Sequence, residues 1–168
     1  MSETLKLTPS ESVILRHAEP SVLEVEGVYG PGGSPPPKHL HPAQDERFRV
    51  ITGKLMTRVD GSERELAPGE VLEIPRGAVH QMWNPGAEEA RVSWETRPAG
   101  RTEQWFRAVD ALQREAGDES PSPLAFGVVL REYDDTFRLA VGPQVLMGPV
   151  TMALGALGRL RGHRVPAA

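Results

Sequence analysis

The sequence predicts an all-β sandwich or barrel followed by a helical C-terminal extension. Three observations lead there. Residues 21–96 fall into short, strand-length runs separated by Gly- and Pro-rich turns. Apolar and polar residues alternate along those runs with the period of a half-buried strand. After Pro98-Ala99-Gly100 the apolar spacing changes to that of a helix.

The first run, Val22 to Tyr29, places Leu23, Val25 and Tyr29 on one face and Glu24 and Glu26 on the other. Gly30-Pro31-Gly32-Gly33-Ser34 and then Pro35-Pro36-Pro37 exclude a helix and deliver the chain stiffly to His39. Phe48 to Val59 spans two strands interrupted near Gly53, and Asp60-Gly61 is a hairpin signal. Pro68-Gly69, Pro75-Arg76-Gly77 and Asn84-Pro85-Gly86 mark later turns. In the extension, Trp105, Phe106, Val109, Leu112 and Ala116 recur at helical spacing, with Thr102 as the expected N-cap. Ser122-Pro123 is expected to open a second helix running towards Phe137. A third helix is expected from Gln144 to Leu160, with Leu146, Val150, Leu154 and Leu157 on one stripe. Residues 1–100 thus read as a β-barrel with N-terminal strands, and 101–168 as a helical extension packed on the barrel or on a partner.

A chain of 168 residues with 39% hydrophobic and 25% charged residues is a globular domain of ordinary size, which argues against disorder. A net charge of −4 offers no electrostatic footprint for nucleic acid. With no cysteine there is no disulfide and no thiolate metal site, so a bound metal must be held by nitrogen and oxygen. Met1 to Ser10 carries no apolar signal segment, and a cytoplasmic location is expected. Leu139 to Gly158 carries no charge over the length of a membrane span, but Pro143 and Pro149 interrupt it. Packing on the barrel or in a homodimer is expected instead. Membrane-surface association through Leu146, Val150, Leu154 and Leu157, flanked by Arg159, Arg161 and Arg164, is the runner-up.

The candidate chemistry lies in two segments. The first runs Gly33, five residues, His39, one residue, His41, four residues, Glu46, six residues, Gly53. The second runs Gly69, five residues, Pro75, one residue, Gly77, two residues, His80, three residues, Asn84. In extended chain, His39 and His41 share a face; Glu46 shares parity with Phe48 and Val50, and His80 with Met82. Three imidazoles and one carboxylate can therefore converge inside a small barrel. That donor set suits one divalent transition ion (iron, manganese, nickel, cobalt, copper or zinc) better than calcium or magnesium. Such an ion acts as a Lewis acid or activates oxygen.

Together the two segments resemble the paired signature motifs of the cupin superfamily, covering Gly33 to Asn84. The resemblance implies a double-stranded β-helix, or jelly-roll, barrel with a metal held by His39, His41, Glu46 and His80. Asp45 stands beside the glutamate position, but the motif glycine seven residues on is Gly53 for Glu46, whereas Asp45 meets Thr52. The superfamily includes dioxygenases, isomerases, cyclases and binding proteins, so fold alone does not assign an activity. The expectation is a metal-dependent enzyme, dioxygenase-like or cyclase/isomerase-like, acting on a small, fairly apolar organic molecule. The alternative is a non-catalytic ligand-binding or sensing cupin. Phe48, Met56, Met82 and Trp94 are the expected pocket lining. For a general acid or base, Glu24, Glu73, Arg91, Glu95 and Tyr29 are candidates by strand position alone, and His17 and His163 are expected on the surface.

Overall fold

Strand alternation decides which side chains face inward. In β10 (Ala90–Arg97), Ala90, Val92, Trp94 and Thr96 are buried, while the residues between them carry the outward charges. The same rule buries Phe48 and Val50 in β5 (Asp45–Thr52) and Leu23, Val25 and Tyr29 in β3 (Val22–Tyr29). Cross-strand register then places Val25 and Phe48 on either side of Trp94. The Phe48 and Trp94 rings lie 5.0 Å apart, so one aromatic layer runs through the middle of the sheet.

The computed structural model describes residues 3–142 and 144–166, with backbone alone at 144–146. The remaining strands are β1 (Thr4–Thr8), β2 (Glu11–Glu19), β4 (His39–Leu40), β6 (Leu55–Val59), β7 (Ser62–Leu66), β8 (Val71–Ile74), β9 (His80–Trp83) and β11 (Arg138–Leu139). They form a six-stranded sheet, β1-β2-β3-β10-β5-β8, and a five-stranded sheet, β11-β4-β9-β6-β7. The two antiparallel sheets make a jelly-roll barrel. At Asp60-Gly61 both φ values are positive, 46° and 89°, as the tight β6–β7 hairpin requires. Gly53 has φ 72°, and a Cβ there would stand 2.7 Å from Ala90 Cα, so β5 can turn into β6 at this point only with glycine.

Helices α1 (Thr102–Ala116), α2 (Pro123–Glu132) and α3 (Gln144–Leu160) make up the extension. Helix α1 packs along β1. Trp105, Phe106 and Leu112 are buried in the core shared with the barrel, each worth about 1.5–3 kcal/mol. The Arg107–Glu3 ion pair is exposed to solvent and screened by it, so apolar burial holds this helix in place.

Three details depart from expectation. Arg101, not Thr102, is the N-cap residue of α1; Thr102 lies in the first turn with its hydroxyl buried and unpartnered. Helix α2 ends at Glu132 instead of continuing to Phe137, because Arg138 and Leu139 leave the helix to pair with β4 as β11. A strand of the barrel therefore comes from the extension. In α3 the apolar stripe only partly packs: Val150 and Leu157 are 48% and 43% exposed, Leu154 is half-buried, and the Leu146 side chain and Pro143 lie outside the described residues. The packed face is Leu154, Gly155 and Gly158 against α2. A Cβ on Gly158 would stand 2.5 Å from the Leu124 carbonyl oxygen, and one on Gly155 2.9 Å from that of Gly127. The backbones approach too closely for larger side chains to lie between them. Among the described residues no helix is long and apolar enough to cross a membrane.

Gly158→Val is expected to lower stability by about 1–3 kcal/mol through overpacking of α3 on α2. Leu160→Ser, at a residue 85% exposed, is expected to change it by less than about 0.5 kcal/mol. Chemical denaturation of the two variants checks the pair.

Candidate metal centre

Strands β4 and β9 are neighbours in the five-stranded sheet, and His39 stands directly opposite His80. His41 follows two residues after His39. The ring centroids lie 4.3 Å (His39–His80), 5.5 Å (His39–His41) and 5.4 Å (His41–His80) apart. One nitrogen from each ring falls within 4.8 Å of the others, the arrangement of a possible metal site. Glu46, at the start of β5 on the opposite sheet, is buried against them.

The orientation of each ring follows from its second nitrogen. His39 Nδ1 lies 3.1 Å from the Pro37 carbonyl oxygen, His41 Nδ1 2.7 Å from that of Thr136, and His80 Nδ1 3.1 Å from that of Ala78. A carbonyl oxygen can only accept, so Nδ1 carries the proton in all three rings and donates it. Each ring, when neutral, then keeps its lone pair on Nε2. This is the tautomer a metal needs, fixed by the backbone in the manner of outer-sphere partners of metal-bound histidine.

Glu46 completes the electrostatics. Its Oε1 accepts a hydrogen bond from Trp94 Nε1 at 3.0 Å and lies 3.4 Å from His41 Nε2. Its Oε2 is 3.1 Å from His80 Nε2, yet it is buried and receives no hydrogen bond. Burial disfavours the charged carboxylate, but His41, His80 and His39 more than offset it and hold Glu46 at about 2. Burial lowers His39 and His41, and the neighbouring imidazoles add to the effect on both. His80 is also opposed by burial, but contact with Glu46 raises it above the usual imidazole range. The buried carboxylate charge is balanced by a second proton on His80 Nε2 or, in its place, by a cation among the three imidazoles. The nitrogen and oxygen donors and the orphaned Glu46 Oε2 thus fit a divalent transition ion.

The site opens into a cavity of about 150 Å³ lined mainly by apolar side chains. Phe48, Met82 and Trp94 are among its lining residues. Met56 is not; Leu55 and Thr57 on either side of it are the buried residues of β6, and Met56 takes the alternate face. Of the seven Phe, Tyr and Trp residues that line the cavity, four come from the extension. Phe137 stacks on His39 at 4.6 Å and on Trp105 at 4.5 Å, making a three-layer stack that ends on a candidate ligand. Phe106 and Phe126 add to this wall. The sequence marked Trp105 and Phe106 as a helix face but could not say that the face closes a cavity.

Of the residues considered for acid–base work, Glu73 is exposed, Glu95 pairs with Arg47 and Arg97, and Arg91 with Glu26. Glu24 lies on the outward face of β3. Tyr29 lines the cavity, together with Glu11, which no sequence pattern singled out. Asp45 turns outward into a bidentate pair with Arg76, at 2.6 and 3.1 Å. His17 is at the surface beside Glu19, and His163 is half-buried after α3.

Residues 25–94 match the family model described as Cupin domain. A solved RmlC-like cupin from Shewanella frigidimarina superposes with a TM-score of 0.55 at 16% identity, covering 61% of this chain and 89% of that one. The chain is 38% identical over 61 residues to the tetracenomycin polyketide synthase protein TcmJ of Streptomyces glaucescens, covering 36% of this chain and 41% of TcmJ. It is 37% identical over 70 residues to oxalate oxidase 1 of Hordeum vulgare, covering 37% of this chain and 34% of the oxidase. The matched region is thus less than half the length of either relative. The barrel thus has the cupin fold, and residues 25–94 within it match the cupin domain model.

Trp94→Phe removes the hydrogen bond that orients Glu46 while keeping an aromatic ring in the core. It is expected to weaken cobalt(II) or zinc(II) binding by about 10–100-fold, measured by calorimetric titration. Unchanged affinity would show that the indole has no part in setting the carboxylate.

Proposed function

We propose that His39, His41, Glu46 and His80 hold one divalent transition metal ion and that the protein is a metal-dependent enzyme acting on a small, largely apolar organic molecule. Oxygenase-type chemistry is the reading favoured, with cyclase or isomerase chemistry as its non-redox counterpart. The observation that carries the proposal is the set of three imidazoles, each anchored through Nδ1 and presenting Nε2, beside the unpartnered Glu46 Oε2 at the edge of an aromatic cavity. When bound, such an ion supplies Lewis acidity and, if redox-active, a route to dioxygen.

The chain's own residues do the rest. Pro37, Thr136 and Ala78 hold the imidazole tautomers through their carbonyl oxygens. Trp94 orients Glu46. Phe48, Met82, Trp94, Trp105, Phe106 and Phe137 exclude water and offer flat faces to a ring. A cavity of about 150 Å³ has room for a benzene-sized group, so the favoured substrate places one ring inside it.

Elemental analysis of the purified protein is expected to find about one transition ion per chain, and His80→Ala is expected to lose it. A protein that carries no metal and takes up none on titration overturns the proposal. With metal present, oxygen consumption across a panel of enols and phenols separates oxygenase from non-redox chemistry. Ligand binding without any turnover makes the chain a binding module instead.

A further inference from the structure

The cavity has a second polar end that the metal site does not use. Glu11, at the start of β2, stands directly opposite Tyr29 at the end of β3, and both side chains line the cavity. The Glu11 carboxyl pairs with the Tyr29 hydroxyl. The pair belongs to the six-stranded sheet, whereas the three imidazoles lie on β4, β9 and the segment after β4, associated with the five-stranded sheet. The rest of the wall is largely apolar, with Leu7, Phe48, Met82, Trp94, Phe106 and Val109 among its residues. The other titratable groups at the cavity are His39, His41 and His80, with Glu46 behind them acting on Glu11 by charge alone.

We propose that Glu11 and Tyr29 form a hydroxyl-recognising pole of this cavity, which seats a ring-sized phenol or enol with its O–H on Glu11 and its far edge towards the imidazoles. The proposal rests on the functional reading above for what the far edge meets, and it names the substrate class for that reading. The Tyr29 hydroxyl supplies one donor to the Glu11 carboxylate, and a ligand hydroxyl supplies a second to this carboxylate in a largely apolar wall. Glu11 also has the acidity for proton exchange. Burial raises it to about 7, against the opposing effect of the Tyr29 hydroxyl and with a smaller contribution from the Glu46 charge. A group titrating there accepts and returns protons at neutral pH. In that step the ligand O–H bond breaks, its proton passes to the Glu11 carboxylate, and the electron pair stays on the ligand oxygen. Tyr29, raised well above the usual phenol range by burial and by Glu11, stays protonated and serves as a donor.

The test compares phenol with toluene, which has the same shape without the hydroxyl. Binding is followed by fluorescence of Trp94 and Trp105, both on the cavity wall. The intact protein is expected to prefer phenol by about tenfold or more, the worth of one hydrogen bond to a charged partner. Phenol affinity is expected to change around pH 7, and Glu11→Gln to remove that dependence. Glu11→Leu is expected to abolish the preference, and Tyr29→Phe to reduce it. If Glu11→Leu does not fold, the near-isosteric Glu11→Gln and Tyr29→Phe carry the test alone. Equal affinity for the two probes, no binding of either, or a preference that survives in the variants overturns the proposal. Metal content is measured on the same samples. Metal without hydroxyl discrimination defeats this inference and leaves the functional reading standing; discrimination without metal does the reverse.

Discussion

A buried carboxylate oxygen with no hydrogen-bond donor, 3.1 Å from an imidazole nitrogen, is the constraint around which the rest of the site is arranged. Glu46 cannot be moved away from the imidazoles without losing its bond from Trp94, and Trp94 is held between Val25 and Phe48 by strand register. Three bonds to backbone carbonyl oxygens in turn keep the imidazole rings oriented, with His41 and His80 Nε2 turned towards Glu46. A cation among them would balance the carboxylate in place of a proton on His80, so charge balance and side-chain packing ask for the same thing.

The extension is part of this arrangement and not an ornament on the barrel. Thr136 supplies the carbonyl that fixes His41, Phe137 stacks on His39, and β11 adds a strand beside β4. Trp105 backs the stack from α1. The same segment that settles the ring orientation of two imidazoles therefore also closes the cavity in front of them. A barrel stopped at residue 100 would keep all four candidate ligands but lose these two restraints and the aromatic wall.

Much of the barrel was legible because strand periodicity is a local property. Val22 to Tyr29, the break at Gly53 and the Asp60-Gly61 hairpin all follow from residue type and spacing within a few positions. The extension was less legible. Its helices were visible from apolar spacing, yet the face that packs in α3 is set by Gly155 and Gly158, which carry no hydrophobic signal. The N-cap shifted to Arg101 because Thr102 is drawn into the core, where burial outweighed capping preference. Met56 shows what apolar character alone leaves open: it is an apolar strand residue, but Leu55 and Thr57 on either side of it are the buried residues of β6.

The sequence by itself determined the barrel and the set of four candidate ligands, since period two and fixed motif spacing place His39, His41, Glu46 and His80 on inward faces without reference to the rest of the chain. Only the tertiary structure decided what those residues face. Glu11, Tyr29, Trp105 and Phe137 come together from opposite ends of the chain. Each one reads locally as an ordinary strand, helix or turn residue. Whether a buried side chain fills a core or borders a void depends on what packs opposite it, and that neighbour is distant in sequence.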